Sequence, residues 1–242
     1  MLRKRAVDAR ELMDDPRCDP ELLDRTYEQF RLVNSVVSGW HSTYRARIRP
    51  LLQPDVPATL LDIGCGGGDV ARALAAWAAR DGLPLQVTAI DPDPRALDFA
   101  ARTPNPDGVL FRQLESSELV DAAARFDFVI SNHVLHHLDA QQLADLMIDS
   151  ELLCRGLAIH SDIRRSAWAY AGFSVGTLPF FHRSFIRVDG LTSIRRSYTT
   201  AELRVAARRG WTVEALPPFR NLLMYAASNA ASAALGEPDA DA

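Results

Sequence analysis

Leu60-Leu-Asp-Ile-Gly-Cys-Gly-Gly-Gly-Asp-Val-Ala71 is the stretch on which the reading of this chain turns. Apolar residues surround one acid, Asp62, before Gly64, Cys65, Gly66, Gly67 and Gly68 break the run. Apolar side chains then return at three-and-four spacing through Val70, Ala71, Leu74, Ala75, Trp77 and Ala78, which predicts an amphipathic helix. A buried strand, a glycine turn and a helix N-terminus together make a site for a polar, nucleotide-like ligand. The glycines let the backbone come close, and the free N–H groups of the first helical turn face the ligand. A plain strand-to-helix turn would have no use for four glycines in five positions, each of which costs chain entropy.

Gly64, Gly66 and Gly68 fit G-x-G-x-G, whereas the dinucleotide fingerprint needs G-x-G-x-x-G/A, met only by shifting the frame to Gly66, Gly68 and Ala71. Asp62 favours the first frame, because a carboxylate inside an apolar strand is costly unless backbone or ligand groups bond it. An acid, an apolar residue and then G-x-G-x-G resembles the nucleotide-binding motif of class I S-adenosylmethionine-dependent methyltransferases. That resemblance implies an α/β fold, a doubly wound, seven-stranded, mostly parallel Rossmann-like sheet. It also implies S-adenosylmethionine as cofactor, S-adenosylhomocysteine as product, and Asp62, Gly64, Gly66 and Gly68 in cofactor binding.

The strands that follow supply the rest of such a site. Gln86–Ile90 reads as a second strand ending at Asp91-Pro92, with Asp93 as helix N-cap and Pro94 as the first helical residue. A carboxylate at Asp91 can accept hydrogen bonds from ribose hydroxyls. Val109–Leu114 reads as the third strand; the family resemblance places an adenine-side acid just after it, here Glu115 beside Ser116, with Glu118 the competing acid. Phe126–Ser131 is the fourth strand, followed by Asn132-His133-Val-Leu-His136-His137-Leu-Asp139, similar to the family's segment above the cofactor. Leu157–Asp162 is the fifth, after a short Arg155-Gly156 turn, and Asp162 falls at the same sheet edge as Asn132. His136 or His137, oriented by Asp162, is the expected catalytic base. Three histidines and Asp139 within seven positions also suggest a metal, but no Cys or Glu set of matching spacing accompanies them, so no metal is expected.

The chain has 242 residues and 48% apolar content, enough for a full core in one domain with additions. A net charge of −4 argues against general affinity for nucleic acid or anionic membrane. The three cysteines, Cys18, Cys65 and Cys154, lack metal spacing and read as reduced thiols of a cytoplasmic protein. No apolar h-region follows the basic N-terminus, and no run approaches the roughly 20 residues of a membrane span, so neither leader nor span is expected. Residues 1–50 read as a helical cover, with a stripe from Glu21 to Val37 and a second helix from Trp40 to Arg49 ending at Pro50. Tyr27, Asn34 and Tyr44 are its candidate pocket residues.

Residues 51–228 form the expected methyltransferase domain. Within it, 166–198 is the expected substrate-covering insertion, rich in aromatics (Trp168, Tyr170, Phe173, Phe180, Phe181, Phe185) and interrupted by Gly172, Gly176 and Pro179, so no regular helix is predicted there. A hydrophobic subunit contact or plain core is the competing reading of that segment. Thr199–Glu202 opens a helix ending at Gly210, Trp211–Leu216 and Leu222–Ala226 close the sheet as a hairpin, and 229–242 is expected to be a disordered tail. The resemblance extends to quinone- and polyketide-tailoring enzymes. It implies a small hydrophobic or aromatic acceptor, phenolic, resorcinol-like or quinone-like, methylated on oxygen by a monomer or homodimer. C- or N-methylation, a nicotinamide-dependent oxidoreductase and a non-catalytic S-adenosylmethionine-binding protein are the alternatives.

Overall fold

The computed structural model describes residues 2–178, 181 and 183–227, with the side chains of 35–37 set aside. The expected tail and Phe180 lie outside the described residues. Strand β1 (Ala58–Ile63) has β2 (Leu85–Ile90) and β4 (Phe126–Asn132) as parallel neighbours on either side. β3 (Val109–Arg112) extends the sheet beyond β2, and β5 (Cys154–Ile163) lies parallel to β4. β7 (Arg220–Ala226) then runs antiparallel to β5, and β6 (Trp211–Leu216) antiparallel to β7. The resulting order is β3-β2-β1-β4-β5-β7-β6, the expected seven-stranded, mostly parallel, Rossmann-like sheet.

The near-continuous apolar run of β1 suits a strand covered on both faces. Its successive side chains point to opposite sides. Leu60 joins one core layer with Trp40, Tyr44, Leu74, Val87 and Ile130; Leu61 joins the other with Val129, Leu143, Met147 and Leu223. Helix α1 (Pro20–Val37) and α3 (Asp69–Arg80) precede α4 (Pro94–Arg102), whose N-cap Asp93 accepts the Arg95 N–H at 2.9 Å. α5 (Ser116–Asp121) and α6 (Ala140–Leu153) follow β3 and β4. α6 starts at a reciprocal cap between Asp139 and Gln142.

Several local expectations change. Helix α2 (Trp40–Thr43) widens into a π turn, Tyr44–Ile48, and a 3₁₀ turn, Arg49–Leu51, so Pro50 lies inside the last turn rather than ending the helix. No turn precedes β5. Gly156 is within the strand, where a Cβ would come 2.5 Å from the Asp127 carbonyl oxygen at the β4–β5 irregularity. The glycines of the insertion do not prevent a helix: α7 (Ala167–Gly176) is regular, capped by Ser166, and α8 (Ile186–Arg196) follows it. α9 (Thr200–Ala206) stops before the expected Gly210. Among the described residues no helix is long and apolar enough to cross a membrane.

The segment before α1 forms a strap across α8. The Ala6 N–H donates to the Arg195 carbonyl at 3.0 Å, and Arg5 Nε to that of Arg196 at 2.6 Å. The Leu12 and Met13 N–H groups donate to the buried Asp189 carboxylate at 2.7 and 3.0 Å. Sequence patterning gave no sign of this strap, since it contains no regular element.

Candidate active site

A cleft of about 1550 Å³ opens at the C-terminal ends of β1, β2, β4 and β5, roofed by α1, α7 and α8. Drug-sized sites are typically ~300–1,000 Å³, so this one has room for a nucleoside ligand and a second molecule. Of the residues expected from the sequence, Asp62, Gly64, Gly66, Asp91, Pro92, Glu115, Ser116, Asn132, His136 and His137 line it.

At the glycine end the backbone decides the shape. Gly66 has φ +52°, a left-handed conformation that side chains resist, and an added Cβ there would meet nothing nearer than Tyr27 at 3.8 Å. The space beside it belongs to the cleft. Gly68 behaves differently: it is the left-handed N-cap of α3 and packs against the Phe111 ring, outside the lining. Its left-handed φ of +77° serves the turn into α3. Asp91 lies at the end of β2. One carboxylate oxygen accepts the Gly66 N–H at 2.8 Å and the other the Asp93 N–H at 2.9 Å, leaving further lone pairs toward the cleft. Burial raises its pKa despite both bonds.

Asp62 is 1% exposed, and neither carboxylate oxygen has a hydrogen-bond partner. Burial pushes its pKa well above the usual range, with Asp69 and Asp91 adding repulsion. An orphaned carboxylate on the cleft wall fits a cationic or hydrogen-donating ligand group that restores its missing bonds. Asn34 on α1 donates to Asp69 at 2.8 Å, and Trp40 Nε1 to Asn132 Oδ1 at 2.9 Å, so the N-terminal helices are tied directly to the site. Tyr27 and Asn34 line the cleft, but Tyr44 does not; it is buried in the core with its hydroxyl on Asp81 at 3.0 Å.

The two candidate adenine-side acids differ in position. Glu118 accepts the Glu115 N–H at 2.7 Å as part of the α5 cap, while Glu115 and Ser116 line the cleft. The Ser116 hydroxyl is 2.6 Å from Asp149.

At the opposite end stands the histidine cluster. His136 donates its backbone N–H to Asp162 at 2.7 Å, and its Nδ1 lies 2.8 Å from the same carboxylate. Its Nε2 is 3.3 Å from Glu11 of the strap. Burial alone would lower the His136 pKa, but the Asp162 and Glu11 carboxylates outweigh it and raise it to about 10. Two carboxylates that hold the ring's proton make it less available as a base than a free imidazole.

His137 and His133 are the partly exposed rings. His137 Nδ1 faces Asp14 at 3.4 Å and its Nε2 faces Glu11 at 3.8 Å. His133 holds the left-handed φ of +59°, with Nδ1 3.5 Å from Asp162. The aromatic segment divides: Phe173 and Phe181 line the cleft, Phe185 is buried against Leu23, Tyr27 and Ala96, and Trp168 is 79% exposed. The site residues missed in the sequence, above all Glu11, Asp14 and Asp189, come from non-regular chain or from α8. No local motif marks them.

The comparisons agree with this geometry. Residues 60–150 match the family model described as a methyltransferase domain. The ubiquinone biosynthesis O-methyltransferase of Rickettsia felis is 33% identical over 158 residues, 62% of each chain. That of Rickettsia conorii is 34% identical over 112 residues, covering 46% of this chain and 37% of its own. The chain therefore spans less than two thirds of these relatives. The plantazolicin methyltransferase BpumL, in complex with a triazolic desmethylPZN analogue and SAH, superposes with a TM-score of 0.60 at 13% identity, over 89% of this chain and 93% of that one. Human N-acetylserotonin methyltransferase, in complex with SAM, gives 0.58 at 14%, over 86% and 56%. The seven-stranded sheet order fits the fold of the superposed methyltransferases, and residues 60–150 resemble the methyltransferase domain family.

Proposed function

We propose that the protein transfers a methyl group from S-adenosylmethionine to a hydroxyl of a small aromatic acceptor of phenolic or quinone-like type. The observation that carries this reading is the two-ended cleft. One end has the glycine turn, Asp62 and Asp91; the other has a histidine backed by a buried carboxylate; apolar rings stand between them. The likeness to ubiquinone biosynthesis O-methyltransferases favours oxygen and a quinone-like ring.

S-adenosylmethionine, when bound, supplies an electrophilic sulfonium methyl. The rest is positioning and proton handling by this chain. Asp91 would hold the ribose hydroxyls, Asp62 the donor groups near the glycine turn, and Glu115 with Ser116 the base edge. A hydroxyl acceptor loses its proton as the methyl arrives, and an unperturbed phenol, with a pKa near 10, requires a base. Among the three clustered histidines His133 suits that role, because it reaches the cleft and has Asp162 behind it. The residues of the helical cover, 1–50, together with the insertion, would exclude water.

The test is release of S-adenosylhomocysteine with a panel of catechols and hydroxyquinones, read by mass spectrometry. His133→Asn should lower turnover roughly 10²–10⁴-fold with cofactor affinity retained, since Asn tolerates a positive φ. Full activity in His133→Asn, or a product methylated on carbon or nitrogen, would remove the hydroxyl reading.

A further inference from the structure

Glu11, His136 and His137 bring three ligand atoms within 4.8 Å of one another at the edge of the cleft. His133 and Asp139 are the neighbours of these histidines in sequence, but the third ligand atom comes from the strap, 125 residues before His136 in the chain. Both imidazoles turn Nε2 toward the Glu11 carboxylate, at 3.3 Å from His136 and 3.8 Å from His137. Four-coordinate zinc with bonds of about 2.0–2.1 Å sets neighbouring ligand atoms roughly 3.4 Å apart, so the three atoms, which lie within 4.8 Å of one another, would draw together on binding.

The outer contacts follow the same pattern. Each ring has a carboxylate behind its Nδ1: Asp162 at 2.8 Å for His136 and Asp14 at 3.4 Å for His137. A carboxylate behind the second ring nitrogen fixes tautomer and orientation in metal-bound histidines. Glu11 is oriented too, since the Ser193 hydroxyl donates to its Oε1 at 2.9 Å and Arg196 stands 3.7 Å from the same oxygen. Oε1 is also the oxygen nearest His136, while Oε2 faces His137. Glu11, Asp14 and Asp162 place three carboxylates around the rings, an acidic surrounding that favours a bound cation.

We propose that Glu11, His136 and His137 form a binding site for one divalent transition-metal ion, of the zinc or cobalt class. Imidazole and carboxylate donors suit such ions, and three protein ligands leave a position open toward the cleft. On the reading of the function given above, that open position would take the acceptor oxygen, so that the ion polarises the hydroxyl from which His133 removes the proton. The metal site itself does not depend on that reading.

Chelator-treated full-length protein, without cofactor or acceptor, should bind one equivalent of Co²⁺ with a visible ligand-field spectrum, displaced by Zn²⁺. Glu11→Gln and His137→Ala should each weaken binding at least 10-fold and change the spectrum, whereas His41→Ala, which is not part of the cleft lining, should do neither. Circular dichroism checks that each variant folds. Should Glu11→Gln unfold, the partly exposed His137→Ala decides alone. Absence of a stoichiometric Co²⁺ complex, or one indifferent to His137→Ala, overturns the site. Either result leaves methyl transfer standing, and loss of methyl transfer with Co²⁺ still bound would instead sink the functional reading.

Discussion

His160 illustrates how much a single ring can contribute without touching the cleft. It is fully buried, lies against the Trp211 ring, and has its two nitrogens 2.8 Å from Ser131 and 3.0 Å from Ser150. Burial lowers its pKa from 6.5 to about 3, so the native ring stays neutral while the unfolded chain takes up a proton. The sign follows: stability is complete above the unfolded pKa and declines as pH falls from about 6.5 toward 3. Between pH 7 and pH 4 the loss should be on the order of 3 kcal/mol. Urea denaturation at both pH values should show a smaller difference for His160→Gln; an unchanged difference would mean that the ring is protonated in the native state. Nothing in the sequence around His160 sets it apart from His136 and His137. Periodicity places a histidine on a strand or beside one, but only the tertiary partners, two hydroxyls in one case and carboxylates in the other, decide its charge.

At the scale of elements, those governed by local rules were legible. α3 spans Asp69–Arg80 and α6 Ala140–Leu153 as the apolar spacing and stop signals require, and Asp93-Pro94 caps α4. The misses occur where tertiary contacts override a local breaker. Pro50 is accepted inside a 3₁₀ turn, and Gly156 is demanded by the Asp127 carbonyl rather than by a turn. α7 holds despite Gly172 because it packs on α8, where the Phe173 ring lies so close to Gly190 that no Cβ would fit between them. Its aromatics therefore should not act alike. Phe173→Ala should raise the acceptor KM with cofactor affinity unchanged, whereas Trp168→Ala should alter neither KM nor melting temperature appreciably. Steady-state kinetics on the two variants separates them. A Trp168→Ala variant with a raised acceptor KM would place the exposed ring over the acceptor after all.

For the whole molecule, the resemblance carried by the glycine turn, Asp91 and the segments after the third and fourth strands implied the sheet that the structure shows and S-adenosylmethionine as cofactor. The acceptor end could not be read in that way, since its groups arrive from the strap, from β4, from β5 and from α8. A ligand that binds only the native state at 100 times its Kd stabilises by about 2.7 kcal/mol. S-adenosylhomocysteine at that excess should accordingly raise the melting temperature roughly 5–10 °C, NADH should not, and Asp91→Ala should abolish most of the rise. Scanning fluorimetry with the two ligands checks this, and a shift with NADH alone would return the glycine turn to the dinucleotide frame. The strap also has a consequence for biosynthesis. Its anchors, Ser193, Arg195 and Arg196, are translated some 185 residues after Glu11. At ~5–20 residues per second the ribosome takes roughly 10–40 s to make them, and throughout that interval the earliest part of the strap has nowhere to dock. The strap thus leaves the exit tunnel long before its docking site and is among the last segments to find its place, and until it does the histidines have no Glu11.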